Sequence, residues 1–221
     1  MKIIAKIYTE FDEKFGIPRQ SGLVKETVGK IVFEPEYRAP EAFRGIEGYS
    51  HLWLIWQFSE AVRDTWSPTV RPPRLGGNKR MGVFATRSPY RPNPIGLSSV
   101  RLIEVKETKD DGTVLIVGGA DLLSGTPIYD VKPYLAFTDS HPEARGGFAD
   151  EVVDYKIEVE ISDMAKKKLS ADEEGKLVAI LEQDPRPSYK ADDERSYGMK
   201  FEGKEITFKY EESKLIVTDI E

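Results

Sequence analysis

FATRSPYRPNPIGLS, residues 84–98, is the most constrained stretch of this chain of 221 residues. Each of its three prolines fixes φ near about −65° and removes a backbone donor, and each pushes the preceding residue toward extended geometry. The stretch then runs directly into an apolar, strand-like segment. A loop this stiff predicts a ligand site at the start of a strand, where Arg91 and Asn93 are held in fixed positions.

Strand-like segments lie on both sides of this loop. Apolar or alternating runs predict strands at residues 1–9, 28–33, 51–58, 81–86, 95–106, 113–117, 126–135 and 152–161. Asp110, Asp111 and Gly112 predict a hairpin turn between two of them. Many strands at short spacing, with hairpin signals, predict an antiparallel β-barrel. In the run 51–58 we expect Trp53 and Trp56 to be core residues.

A different pattern follows residue 160. Ser170 and Glu173 form a capping-box pattern that opens a helix ending near Gln183, and residues 206–218 predict a hairpin. The predicted fold class is therefore mainly β, with a barrel domain at residues 1–160 and a small α+β domain at residues 161–221.

Composition excludes several kinds of site. The chain has no cysteine and only two histidines, so disulfides and thiolate metal sites are excluded and no metal is expected. No stretch approaches the ~20 apolar residues of a membrane-spanning helix, and a cytoplasmic location is the default. Gly118 and Gly119 follow a strand but lack the G-x-G-x-x-G spacing and the helix of a dinucleotide fold, which favours a plain turn or bulge.

Charge is distributed unevenly along the chain. The net charge is −6, which argues against general binding of nucleic acid. Residues 63–101, however, hold eight basic residues and one acid, a net charge of +7, whereas residues 139–221 hold 22 acids and 13 basic residues, a net charge of −9. A local basic segment of this kind can bind phosphate even on an acidic protein.

Three polar motifs each allow two interpretations. Residues 18–23 are either an ordinary surface loop or a backbone cradle for a small ligand, with Gly22 permitting close approach. Residues 71–78 are either a solvated loop or a rigid phosphate-binding element, since arginine forks onto phosphate oxygens. Asp130, Lys132 and Tyr134 share one face of a strand, as a surface ladder or as a pocket wall.

Taken together, these segments resemble one family closely. The matching stretches are residues 18–25, 48–53, 68–78, 80–96, 125–135 and 183–189. They resemble the TrmO/YaeB/TsaA-like (VirR-type) family of S-adenosylmethionine-dependent tRNA methyltransferases. The resemblance implies a β-barrel methyltransferase rather than a Rossmann enzyme, a homodimer, and a methyl donor near the dimer interface. It also implies methylation of N6 of N6-threonylcarbamoyladenosine, 3′ of the anticodon of threonine tRNA.

The resemblance also assigns roles to residues. The implied donor-binding residues are Pro18, Arg19, Gln20, Ser21, Gly22, Leu23, Phe58, Ser59, Arg91, Leu97, Ser98, Ser99, Asp130, Val131, Lys132 and Pro133. The expected phosphate contacts to tRNA are Arg71, Arg74, Arg80 and Arg87. Asp130 is the hypothetical base, or else holds the donor's amino group, with Lys132 or Tyr134 orienting the acceptor. Two alternatives stay open: a non-catalytic module that binds S-adenosylmethionine or a nucleotide, and a tRNA-binding adaptor without chemistry.

Overall fold

The structure is a computed structural model that describes residues 1–75, 79–186 and 195–221. The strands in chain order are β1 (Ala5–Thr9), β2 (Val28–Phe33), β3 (His51–Gln57), β4 (Thr69–Val70), β5 (Met81–Gly82), β6 (Ile95–Thr108), β7 (Gly112–Gly118), β8 (Thr126–Pro133), β9 (Glu158–Ile161), β10 (Ser196–Phe201), β11 (Lys204–Glu211) and β12 (Lys214–Ile220). The α-helices are α1 (Ala136–Asp139), α2 (Asp163–Lys166) and α3 (Ala171–Leu181). Single 3₁₀ turns lie at Pro35–Tyr37, Pro40–Phe43, Ile46–Gly48, Ser59–Ala61, Pro73–Leu75, Val83–Ala85 and Gly147–Val152.

Six antiparallel strands close into a barrel in the order β1-β2-β7-β6-β3-β8, with β8 returning to β1. This confirms the predicted antiparallel barrel. The interior is filled by alternate residues of each strand, as the two-residue period of a strand requires. On β3 the inward side chains are Leu52, Leu54 and Trp56, all buried.

One core prediction on β3 is wrong. Trp53 and Trp56 are three residues apart, and side chains an odd number apart on a strand point to opposite faces. Trp56 is buried in the barrel as expected, but Trp53 lies on the outward face and is only partly buried. Its indole Nε1 donates a hydrogen bond to Asp139 Oδ2 at 2.8 Å.

Two other strands are shorter than their patterns predict. The segment expected at residues 81–86 forms only the two residues of β5, because Val83 donates to the Pro68 carbonyl at 2.9 Å and the chain then turns into a 3₁₀ helix. The segment expected at residues 152–161 is strand only at β9. β9 crosses the predicted domain boundary at residue 160, and the division into two domains stays a prediction.

The C-terminal part is a four-stranded sheet, β10-β11-β12-β9, covered by α3. The predicted capping box is confirmed: Glu173 N donates to Ser170 Oγ at 3.2 Å, and Ser170 N donates to Glu173 Oε2 at 2.7 Å. Leu177, Ile180 and Leu181 of α3 are buried against the sheet. β10, which no sequence pattern indicated, completes one edge.

The core of the C-terminal sheet includes side chains from the loop that follows β1. Phe11 and Val24 are each 1% exposed within it, and the Phe15 ring stacks 6.1 Å from that of Phe208. The two parts of the chain therefore share a hydrophobic core through residues 10–24.

An ion cluster lies beside this shared core. Lys176 Nζ on α3 is 3.4 Å from Glu10, 3.0 Å from Asp172 and 3.0 Å from Glu202. Burial opposes the Lys176 charge, but the hydrogen bonds that Lys176 donates to Asp172 and Glu202 raise its pKa overall. Burial also raises the pKa of Glu10 despite the neighbouring lysine. The cluster ties the first loop of the barrel to α3.

Gly96 at the start of β6 permits the closest packing in the barrel. A Cβ there would lie 2.2 Å from Trp56 Cε2, so the indole rests directly on the β6 backbone. We expect Gly96→Ala to lower the free energy of unfolding by about 1–3 kcal/mol, as other overpacked cores do. Urea unfolding measures this.

Gly82→Ala is the matched control for this substitution, because Gly82 has φ −57° and a Cβ there would meet nothing within 4 Å. Equal stability of the two variants would contradict the packing argument.

Candidate active site at one end of the barrel

A cleft of about 940 Å³ opens at the end of the barrel where β3 ends and β6 and β8 begin. The proline-rich loop at residues 84–94 forms one wall and the loop at residues 18–21 faces it. Trp56 and Phe58, whose rings are 4.2 Å apart, supply an apolar surface. The volume lies in the range of small-molecule sites, ~300–1,000 Å³.

Short hydrogen-bonded turns fix the proline-rich loop. Tyr90 N donates to Ser88 Oγ at 3.2 Å, and Ser88 N donates to Thr86 Oγ1 at 3.3 Å. The Arg91 guanidinium donates to the Thr86 carbonyl at 3.1 Å and lines the cleft. Ile95 N donates to the Asn93 carbonyl at 2.7 Å. The rigidity inferred from the prolines therefore has a hydrogen-bonded counterpart that holds Arg91 in the wall.

A carboxyl group lies at the inner end of the cleft, where sequence reasoning did not place one. Asp121 Oδ1 accepts a hydrogen bond from Ser98 Oγ at 2.6 Å, and Ser98 Oγ accepts one from Trp56 Nε1 at 3.0 Å. Burial raises the pKa of Asp121, and this outweighs the hydrogen bond from Ser98. Asp121 also lines the cleft. The signal available in the sequence was an acid placed two residues after the Gly-Gly pair that follows an apolar strand.

The Gly-Gly pair brings the 18–23 loop against the barrel. Gly119 has φ +76°, which L side chains rarely adopt, and a Cβ on it would lie 3.2 Å from Gly22 Cα. Gly22 N donates to the Gly119 carbonyl at 2.9 Å. The turn or bulge predicted at these glycines thus fixes the position of the 18–23 loop, because only glycine allows the two backbones to approach this closely.

Arg19 and Gln20 of the 18–23 loop are held by hydrogen bonds to the C-terminal part of the chain and to the proline-rich loop. The Arg19 guanidinium donates to the Asp184 carbonyl at 3.0 Å, which joins the loop to the C-terminal part. Gln20 Oε1 accepts a hydrogen bond from Arg87 Nη1, which joins it to the proline-rich loop. The 18–23 loop therefore rests on three separate elements.

The outward face of β6, β3 and β8 continues from the cleft. Strand register sets Leu97, Ile55 and Asp130 in one row, and Ser99, Trp53 and Lys132 in the next. Leu97 and Asp130 are therefore separated by two strand spacings, about 9–10 Å.

The polar groups predicted on β8 lie on this outward face. Lys132 Nζ lies 2.9 Å from Asp130 Oδ2, and the Tyr134 ring lies 5.4 Å from that of Trp53. Among the described residues, Asp130, Lys132 and Tyr134 lie on the surface beside the cleft, and none of the three lines it.

The structure brings most of the predicted donor-binding residues together. Those that line the cleft are Pro18, Arg19, Gln20, Ser21, Phe58, Ser59, Arg91, Leu97 and Ser99. Those outside its lining are Gly22, Leu23, Ser98, Asp130, Val131, Lys132 and Pro133. Ser98 and Val131 face the barrel interior, since Ser98 pairs with the inward Leu54 and so does Val131.

The predicted tRNA contacts are placed as follows. Arg87 lines the cleft, and Arg71 and Arg80 are exposed. Arg80 Nη1 donates to Thr69 Oγ1 at 2.8 Å, which anchors it to β4. The Arg74 side chain, Asn78 with its neighbouring glycines, and residues 187–189 of the last matching stretch lie outside the described parts of the chain.

Neither a metal centre nor a membrane span is found among residues 1–75, 79–186 and 195–221. No three His, Asp or Glu side chains there are grouped so that they could hold an ion, and no helix is long and apolar enough to cross a bilayer.

Comparison with known proteins identifies the family. The profile described as the tRNA-methyltransferase O N-terminal domain matches residues 6–140. The profile of the TrmO C-terminal domain matches residues 154–221. The chain belongs to the TrmO family. This confirms the resemblance carried by the proline-rich loop and its companion motifs.

Individual relatives agree with the TrmO assignment over most of the chain. A tRNA (adenine(37)-N6)-methyltransferase of Escherichia coli strain K12 is 44% identical over 197 residues, covering 86% of this chain and 83% of that protein. A Pseudomonas aeruginosa protein named putative S-adenosylmethionine-dependent methyltransferase RcsF is 40% identical over 223 residues, covering 96% and 93%. The crystal structure of TrmO from Pseudomonas aeruginosa matches with a TM-score of 0.76 at 34% identity, over 99% of this chain and 97% of that one.

Proposed function

We propose that this chain is an S-adenosylmethionine-dependent tRNA methyltransferase acting on N6 of adenosine 37. The finer assignment is N6-threonylcarbamoyladenosine of threonine tRNA as the substrate. One observation carries the proposal: the proline-fixed arginine, the 18–21 loop and the partly buried Asp121 converge on one cleft in a TrmO-family chain.

The cleft suits the chemical groups of the proposed donor. A carboxylate requires a cation or amide donors, which Arg91 and the 18–21 loop present. An amino group requires an oxygen acceptor, and Asp121 offers a partly buried carboxyl. An adenine requires an apolar slot, which the Trp56 and Phe58 rings supply. The described residues therefore fit S-adenosylmethionine.

The reaction places modest demands on the protein. When bound, S-adenosylmethionine supplies an electrophilic methyl group on a sulfonium, whose positive charge is lost on transfer. The protein has to align the acceptor nitrogen, and alignment alone contributes much of such an acceleration. The acceptor nitrogen loses one proton as its bond to the methyl carbon forms, so a nearby carboxylate assists.

Asp130 is the proposed proton acceptor, with Lys132 or Tyr134 orienting the carbamoyl oxygens. Its carboxylate is partly exposed and paired with Lys132, so it is accessible from outside the barrel. The competing role is to hold the donor's amino group. Asp130→Asn separates the two: a base role predicts normal donor affinity with slow single-turnover transfer, whereas weaker donor binding at an unchanged bound-state rate would contradict it.

A homodimer is part of the proposal. The outward face of β6 exposes Ile95, Leu97 and Ile103 beside the partly buried Trp53, an apolar surface suited to a second copy. Isologous pairing through this surface would place Asp130, Lys132 and Tyr134 of one subunit near the cleft of the other. Light scattering on the purified chain measures the oligomeric state.

The decisive experiment is transfer of a labelled methyl group to threonine tRNA carrying the threonylcarbamoyl modification, with tRNA lacking it as the control. We expect label on N6 of nucleotide 37 in the modified tRNA alone, seen by mass spectrometry of the nucleosides. Label on both substrates would keep the methyltransferase and remove the finer substrate assignment. Donor binding without any transfer would instead favour a non-catalytic module.

A further inference from the structure

Two pairs of side chains lie at the rim of the cleft, Trp66 with Phe84 and Arg63 with Tyr90, and these four residues are here called the rim cluster. The Trp66 and Phe84 rings are 6.1 Å apart with their planes 33° apart. The Arg63 guanidinium carbon lies 4.0 Å from the centre of the Tyr90 ring. Phe84 and Tyr90 line the cleft, and Trp66 extends the cluster outward from it.

The small β4–β5 ribbon brings these residues together. Thr69 pairs with Gly82 and Val70 with Met81, and the chain therefore doubles back so that residues 63–68 lie beside residues 83–90. The arginine over Tyr90 is a cation–π contact, which holds both side chains in a defined orientation. The cluster is thus assembled by backbone pairing rather than by chance exposure of single residues.

All three aromatic rings of the rim cluster are exposed to solvent. Phe84 is 73% exposed, Trp66 52% and Tyr90 43%. Contiguous exposed apolar surface of this kind marks a binding site. Exposure alone does not say what binds there, and the charge around the cluster decides it.

The cluster lies inside the most basic segment of the chain, residues 63–101 with a net charge of +7. Nucleic acid presents phosphates that complement it, together with bases that stack on exposed aromatic rings and arginine planes. Arg80 and Arg87, in the same segment, are available for those phosphates.

We propose that the rim cluster is a stacking platform for unpaired anticodon-loop bases that flank the target adenosine. The inference rests on the proposed function, which supplies the loop as substrate. Base stacking tolerates different sequences because every base has an aromatic face. The platform therefore orients the anticodon loop so that the target base enters the cleft, where Arg91 and Asp121 hold the methyl donor.

The test uses the full chain and an unmodified threonine tRNA transcript as the probe. We expect Trp66→Leu to weaken tRNA binding by about tenfold, the effect of losing one stacked base, with the salt dependence of binding unchanged. Trp66→Phe keeps a ring and should keep wild-type affinity. Tyr8→Leu is the control: it removes an exposed aromatic side chain from β1, outside the rim cluster, and should also keep wild-type tRNA affinity.

Arg80→Ala provides the opposite pattern, because loss of one phosphate contact lowers the salt slope by about one. Unchanged tRNA affinity in Trp66→Leu would overturn the platform. So would a loss of affinity that is accompanied by a change of oligomeric state in light scattering, because the cluster would then be a subunit contact. If the wild type binds tRNA with the expected Trp66 dependence but transfers no methyl group to threonine tRNA that carries the threonylcarbamoyl modification, the platform stands and the proposed function falls.

Discussion

Replacing Asp121 by asparagine is expected to lower kcat/KM for methyl transfer by about 100-fold, the upper end of what one hydrogen bond to a charged group contributes. Asparagine has the same shape and still accepts the hydrogen bond from Ser98 Oγ, which now measures 2.6 Å. The substitution therefore removes the negative charge in the cleft and little else. Steady-state kinetics with both donor and tRNA varied would measure the loss.

The stability of the same variant is expected to move the other way. Burial raises the pKa of Asp121 above its ordinary value of 3.8. At pH values between 3.8, the pKa in the unfolded state, and the raised pKa in the folded state, the folded state binds more protons than the unfolded state. The free energy of unfolding therefore falls as pH rises through that window. Above it, ionised Asp121 is a cost to the fold that asparagine does not carry. Urea unfolding at neutral pH should show the Asp121→Asn variant at least as stable as the wild type.

Such a combination of lower activity without lower stability is typical of a functional group held at a cost to the fold. Activity of the wild type should also rise with pH as Asp121 ionises, and the variant should lack this limb. Asp111→Asn is the control, because that partly exposed carboxylate lies in the turn between β6 and β7, pairs with Lys30 of β2 and does not line the cleft, so its removal should leave kinetics unchanged. Normal kcat/KM in Asp121→Asn would remove Asp121 from the mechanism.

The barrel was predictable because its strands carry local signals. Alternation on β2, the Asp110-Asp111-Gly112 turn and the proline-rich loop each specify structure from neighbouring residues alone. The same holds for the capping box of α3, where Ser170 and Glu173 are three residues apart. Arg91 was predictable as a fixed residue of the cleft wall for the same reason, since the adjacent prolines restrict the backbone beside it.

Features that depend on distant contacts were not predictable. Asp121 follows a Gly-Gly turn, and nothing near it in sequence shows that Ser98 would bury and bind it. Trp53 was assigned to the core from an apolar run, although the register of β3 sets it outward. The role of residues 10–24 as part of the C-terminal core depends on partners far along the chain, such as Phe208.

That shared core leads to the second large expected effect. Phe11 is 1% exposed and packs in the core of the C-terminal sheet, although it belongs to the loop after β1. Phe11→Ala should lower the free energy of unfolding by about 3–5 kcal/mol, as phenylalanine truncation in a core does. It should also weaken binding of S-adenosylmethionine, because residues 10–24 lead into the 18–21 wall of the cleft. Calorimetry of donor binding at a temperature where the variant is folded measures the second effect.

Phe43→Ala distinguishes a specific effect on the loop from general instability. Phe43 is 6% exposed, and its ring meets that of Phe33 edge-on at 4.8 Å inside the barrel core. Its truncation should cost similar stability while leaving the Phe15 ring stacked on Phe208 and Arg19 hydrogen-bonded to the Asp184 carbonyl. Donor affinity should therefore fall in Phe11→Ala and stay near the wild-type value in Phe43→Ala. An equal change of donor affinity in both variants would mean that the C-terminal sheet stabilises the chain without positioning the cleft.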